Sequence, residues 1–161
     1  MYVLECELVT AASLEDTFAV FADPYNLAKI TPPWLGFHVL TENLSMRRGA
    51  EIQYLFRWLG LPMRWATEIT EYDPPVTFVD EARRSPYSFW RHRHTFRQTA
   101  EGTVVGDRVE YDLPLGVLGR MAHGIAVSAQ LRKIFEYRQR AIAELLGGPP
   151  LRVATPAIRR V

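Results

Sequence analysis

Apolar and polar residues alternate with a period of two through much of residues 37 to 113, then recur at about every 3.6 residues near the C-terminus. That change of period predicts strands followed by a helix. Ile52, Tyr54, Phe56 and Trp58 share one strand face, while Gln53, Leu55 and Arg57 share the other. After a turn at Leu59-Gly60-Leu61-Pro62, residues Met63 to Tyr72 place Trp65, Thr67 and Ile69 on one side. Further strands are predicted over residues 37 to 41, 76 to 82, 89 to 99 and 103 to 113, the last two joined as a hairpin about Glu101-Gly102. The chain starts with a strand over residues 2 to 10. Ser13 and Asp16 then form a helix N-cap signal, and Leu14, Phe18 and Phe21 follow at helical spacing until Asp23-Pro24. A second short helix is expected from Tyr25 to Ile30. The long helix covers Gly116 to Leu146, with Ile125, Ala129, Ile134, Phe135, Ile142 and Leu145 on its apolar stripe. Gly147, Gly148, Pro149 and Pro150 stop it.

This order predicts an α+β fold: a curved antiparallel sheet of about seven strands wrapped around a long C-terminal helix, with two short helices after the first strand. Residues 1 to 148 form one domain and 149 to 161 a flexible tail. A twisted sheet is concave, so a helix laid across it need not fill the hollow, and an internal cavity follows.

Composition narrows the function. Apolar residues make up 48% and charged residues 23%, the balance of a water-soluble globule. A net charge of +1 supplies no global field for nucleic acid. The lone cysteine, Cys6, excludes an intrachain disulfide and reads as a small buried apolar residue. No apolar run is long enough to span a bilayer and no signal-peptide core is visible, so a cytoplasmic location is expected. Aromatics reach 12%, with four tryptophans, and they concentrate in the strand-like segments. Trp34, Phe37, Tyr54, Phe56, Trp65, Phe78, Trp90 and Tyr111 either fill the space under the helix or wall a cavity. Trp34, Leu35 and Phe37 sit on a proline-bounded loop that either gates the cavity or plugs its end.

The candidate chemistry lies in the hairpin. Pairing Ala100 with Thr103 places Trp90, His92, His94, Phe96, Val109, Tyr111 and Leu113 on one face, with Asp107 diagonal to His94. Arg91, Arg93, Thr95 and Arg97 take the other face, which belongs in water. His92 and His94 then have three readings: buried rings satisfied by Asp107 or Tyr111, polar anchors for an apolar guest, or acid–base groups with His94 oriented by Asp107. A metal site is weaker. The His-x-His spacing puts two imidazoles about 6 to 7 Å apart on one face, Asp107 is the third donor in reach, and aromatics surround them. No metal and no cofactor are assigned. There is no nucleophile elbow and no phosphate-binding glycine loop, since Gly116-x-x-Gly119 lacks that pattern.

The Pro32-Pro33-Trp34-Leu35-x-Phe37 loop, Trp90-x-His92-x-His94-x-Phe96, and the run Asp107-x-Val109-x-Tyr111-x-Leu113-Pro114-Leu115-Gly116 resemble bacterial members of the START-like (SRPBCC) superfamily. That superfamily includes polyketide cyclases, lipid-transfer domains and plant allergen-type carriers. The resemblance covers about residues 1 to 146. It implies the helix-grip fold and a cavity between sheet and helix, and it brings no catalytic signature. The expected function is binding or carriage of a small hydrophobic ligand: a lipid, an isoprenoid or an aromatic polyketide-like compound. The ligand-binding set is Trp34, Phe37, Tyr54, Phe56, Trp65, Phe78, Trp90, His92, His94, Asp107 and Tyr111. The rivals are a cofactor-independent cyclase or dehydratase using His94 and Asp107, and a protein-interaction module. The sequence leaves the oligomeric state open.

Overall fold

The computed structural model spans residues 1 to 161 and describes all of them except Leu59 and the side chains of Gly119, Arg120, Ala122, His123 and Ile125. The first residue of the Leu59–Pro62 turn and Ile125 of the helical stripe therefore lie outside the described residues. The elements are β1 (Tyr2–Thr10), α1 (Leu14–Ala22), α2 (Asn26–Lys29), β2 (His38–Val39), β3 (Glu51–Trp58), β4 (Leu61–Asp73), β5 (Thr77–Arg84), β6 (Phe89–Gln98), β7 (Thr103–Asp112), α3 (Gly116–Ala122), α4 (Ser128–Leu145) and β8 (Arg152–Arg160). They form the expected helix-grip fold, an eight-stranded antiparallel sheet in the order β2-β3-β4-β5-β6-β7-β1-β8 across which the long C-terminal helix lies.

Local chemistry sets the boundaries. Ser13 caps α1 by accepting a hydrogen bond from the Asp16 amide, and buried Phe18 and Phe21 dock the helix. The prolines at residues 32 and 33 make a 3-10 turn over Pro33–Leu35, closed by Gly36 at φ +52°. Only His38–Val39 of the expected 37 to 41 strand is regular. Beyond it the Leu40 amide still donates to Gln53 O, and the pairing then passes to a side chain, the Gln53 amide donating to Thr41 Oγ1. The expected continuous helix from Gly116 divides into α3, a π-helical turn over His123–Val127, and α4.

Two further expectations fail in detail. The β6–β7 turn falls on Ala100-Glu101: the Thr99 amide donates to Gly102 O, and the Gly102 amide returns to Thr99 O. Gln98 thus pairs with Thr103, and His94 lies opposite Asp107 instead of Val109. Gly102 adopts φ +143°, and a Cβ there would sit 2.1 Å from the Thr10 carbonyl oxygen, so close backbone approach fixes its place. The slip from the expected register is two residues, which leaves every side chain on its assigned face.

The second correction concerns residues 149 to 161. They are no loose tail: Arg152–Arg160 is β8, paired along the outer edge of β1. An unpaired β1 edge would leave a row of amides and carbonyls without partners. The β1–β8 register shifts between Glu5 and Glu7, where Thr155 and buried Pro156 stand opposite Cys6. Next to this bulge, buried Gln139 of α4 donates to Glu7 O at 3.0 Å and Ala154 O at 2.9 Å, fastening the helix to both strands.

The core divides into two clusters. One gathers Phe18, Phe21, Ile69, Phe78, Phe96 and Ile142, and the other Leu4, Val109, Tyr111, Leu131 and Phe135. On the outer sheet face, Arg91 and Arg93 share Glu71, and Arg108 reaches Glu110. No helix among the described residues is long and apolar enough to cross a membrane.

Candidate functional site

Between the concave sheet and α4 a cavity of about 180 Å³ lies between the two core clusters, with Tyr54 packed against both. Its walls come from four directions. Tyr54, Phe56, Trp65 and Ile69 rise from β3 and β4, and Trp90, His92 and His94 from β6. Leu131, Ile134, Phe135 and Arg138 descend from α4, while Leu27, Ile30, Leu35 and Phe37 close the end beside the proline turn. The aromatic wall is a connected set: Trp65 stacks on Tyr54 at 5.9 Å and meets Trp90 edge-on at 5.1 Å. The indole Nε1 of Trp65 is buried without a hydrogen-bond partner, and so is Nε of Arg138. Unpaired buried donors are uncommon.

The polar floor is made by two facing strand pairs. In the β5–β6 ladder Asp80 lies opposite His92 and Phe78 opposite His94, and in β6–β7 Asp107 lies opposite His94. The imidazoles of His92 and His94 pack 3.8 Å apart, held by Phe78 against His94 at 4.2 Å and Phe135 edge-on to His92 at 5.5 Å. Asp107 Oδ1 is 2.9 Å from His92 Nε2 and 2.8 Å from His94 Nδ1. The first is a well-formed hydrogen bond. The second is a close ionic contact outside hydrogen-bond geometry. The opposite nitrogens face Asp80 Oδ2, at 3.6 Å from His92 Nδ1 and 3.4 Å from His94 Nε2.

These contacts set the protonation order. Burial raises a carboxyl pKa, but the hydrogen bonds and charge of the two histidines outweigh it and hold Asp107 well below its ordinary range. Asp80 is lowered in the same way against its burial, chiefly by His94. Burial and then the charge of His94 push His92 down. Burial also opposes a charged His94, yet Asp107 and Asp80 together lift it. The two rings are thus shifted in opposite directions, His92 down and His94 up.

Of the residues expected to bind ligand, Phe37, Tyr54, Phe56, Trp65, Phe78, Trp90, His92 and His94 line the cavity. Three do not. Trp34 is 54% exposed, turned outward by the 3-10 turn so that its ring meets Tyr137 while Leu35 points in. Tyr111 is fully buried behind the wall, stacked on Tyr2. Asp107 lies beneath the imidazoles, out of reach of a guest and 3.9 Å from Cys6 Sγ. The expected 6 to 7 Å between the histidines is also corrected, since both rings lean together over Asp107. Asp80, Tyr87 and Arg138 were not anticipated. Asp80 was accessible in principle, because it shares the strand parity of Phe78.

Comparison with known proteins agrees with the fold. The structure is similar to protein Ms6760 of Mycobacterium smegmatis, with TM-score 0.66 and 21% identity over 89% of this chain and 90% of that one. It is also similar to protein CV1439 of Chromobacterium violaceum, with TM-score 0.69 and 17% identity over 91% and 98%. A third likeness is to the di-domain ARO/CYC StfQ of the steffimycin biosynthetic pathway, with TM-score 0.65 and 14% identity over 91% of this chain and 50% of that one. At these identities the likeness concerns the fold. No curated protein matches the sequence. The family model described as polyketide cyclase / dehydrase and lipid transport matches residues 10–135. The chain belongs to that polyketide cyclase / dehydrase and lipid transport family.

Proposed function

We propose that this protein binds a compact hydrophobic molecule bearing a ring and an oxygen function, held in the cavity between sheet and helix. The observation that carries the reading is the open space itself, apolar and aromatic on its walls and polar at one end. Size limits the guest. A dry cavity of about 150 Å³ accepts benzene, and drug-sized ligands need about 300 to 1,000 Å³. At about 180 Å³ the space suits an aromatic polyketide-like or short isoprenoid compound better than a full acyl lipid. The indole N–H of Trp65 and Nε of Arg138 are unpaired donors that a guest's oxygen would satisfy.

A second reading has its own support. His94 lines the cavity between two carboxylates that raise its pKa against its burial, which suits a general acid in a cyclase or dehydratase reaction. In that reading Asp107 orients the ring and does not touch substrate.

Native mass spectrometry of freshly purified protein tests the binding proposal, and Ile69→Trp, which fills the cavity, is the control. A hydrophobic adduct on the wild type that Ile69→Trp lacks is expected. Absence of any adduct, together with equal binding of a fluorescent apolar probe by both proteins, overturns it.

A further inference from the structure

We propose that Asp80, His92 and His94 form a binding site for a divalent transition metal of the Zn2+ class, with Asp107 as the carboxylate behind the imidazoles that orients His92. One donor atom from each of the three lies within 4.8 Å of the others. The spacing fits a tetrahedral ion. Zinc–nitrogen and zinc–oxygen bonds of about 2.0 to 2.1 Å at tetrahedral angles separate neighbouring donors by roughly 3.3 Å. Asp80 Oδ2 is 3.6 Å from His92 Nδ1 and 3.4 Å from His94 Nε2. Each contact is long for a hydrogen bond and close to the edge of a zinc coordination polyhedron.

The second line of support is Asp107. A metal-bound histidine donates its other ring N–H to a carboxylate or carbonyl. Here Asp107 Oδ1 is hydrogen-bonded to the second nitrogen of His92 at 2.9 Å and lies 2.8 Å from that of His94 in a close ionic contact. One nitrogen of each imidazole thus faces Asp80 Oδ2, and the hydrogen bond to Asp107 holds the other nitrogen of His92. Phe78 and Phe135 clamp the ring planes. Charge is matched as well, since buried Asp107 and half-buried Asp80 with neutral imidazoles offset a 2+ ion. Arg138, which faces the same cavity, makes no ion pair with either carboxylate among the described residues.

All three donor residues line the cavity, so the fourth coordination position opens onto the space where a guest's oxygen, or water, would sit. The ion would then fix the polar end of a ligand, but its binding does not require one.

The test is titration of metal-stripped full-length protein with Zn2+ by calorimetry and with Co2+ by visible spectroscopy. One ion per chain and the intense ligand-field bands of four-coordinate Co2+ are expected. Asp80→Asn is expected to weaken Zn2+ at least about 100-fold, and Asp107→Asn about 10- to 100-fold, while His38→Gln leaves it unchanged. X-ray absorption on the wild-type zinc form needs no variant to fold and should show two imidazoles. Absence of stoichiometric binding overturns the proposal. So does an affinity unchanged in Asp80→Asn, or an absorption spectrum without histidine.

Discussion

Removing the Asp107 carboxylate tests the polar floor directly. The residue is 6% exposed, and its Oδ1 contacts both imidazoles while Oδ2 faces Cys6. Breaking a buried ionic group by deleting one partner costs about 3 to 5 kcal/mol, because the other partner is left uncompensated. Asp107→Ala in the metal-free protein should therefore lose about 3 to 5 kcal/mol. Asp107→Asn keeps an acceptor but no charge, and it should lose about 2 to 3 kcal/mol. For a domain of this size each kcal/mol shifts Tm by about 2 to 4 °C, so the alanine variant should melt roughly 10 °C lower. Urea unfolding followed by tryptophan fluorescence supplies the free energies, and an unchanged m-value shows that the native surface is kept. A double-mutant cycle with His92→Ala should return a coupling of about 1 to 3 kcal/mol. A loss below about 1 kcal/mol for Asp107→Ala, or strict additivity with His92→Ala, would refute the reasoning.

Other consequences are as specific. Gly102→Ala pushes a methyl group against the Thr10 carbonyl at a positive φ, so it should destabilise by about 3 kcal/mol or abolish soluble expression, read by thermal melting against Gly124→Ala. Cys6 is buried, and burial followed by the charge of Asp107 raises its thiol far above the ordinary value; the neutral thiol persists as pH rises, and iodoacetamide at pH 8 should label it only after unfolding. Native-state labelling at the rate of a free thiol would contradict the described packing. Phe135→Ala should cost about 3 to 5 kcal/mol and enlarge the cavity, so calorimetry should find bicyclic aromatic probes gaining affinity over monocyclic ones. Gln139→Leu strands the carbonyls of Glu7 and Ala154, and about 1 to 3 kcal/mol should be lost in chemical denaturation.

Alternation carried most of the sheet into view, since inward residues such as Ile52, Phe56, Trp65 and Ile69 are those the period of two selects. The β6–β7 register was less legible. Any slip of two conserves the face pattern, and the close approach of Gly102 to Thr10 that decides the matter belongs to a strand about 90 residues away. β8 escaped notice because Pro156 and three arginines mask a short alternation, and its partner is the distant first strand. The histidine pair was visible from His-x-His, whereas Asp80 needed the β5–β6 register that sets it opposite His92. Trp34 was misplaced because a 3-10 turn sends neighbouring side chains in different directions, and composition carries no such angle.

The insertion of β1 between β7 and β8 has a kinetic consequence. Every ladder bond of this strand joins it to a partner about 100 residues away on one side or about 150 on the other. The hairpins from β3 to β7 close short loops and can zip in sequence, whereas β1 must await both distant neighbours. Refolding should therefore bury Trp65 and Trp90 early, while amides of β1 gain exchange protection in the slowest, rate-limiting event.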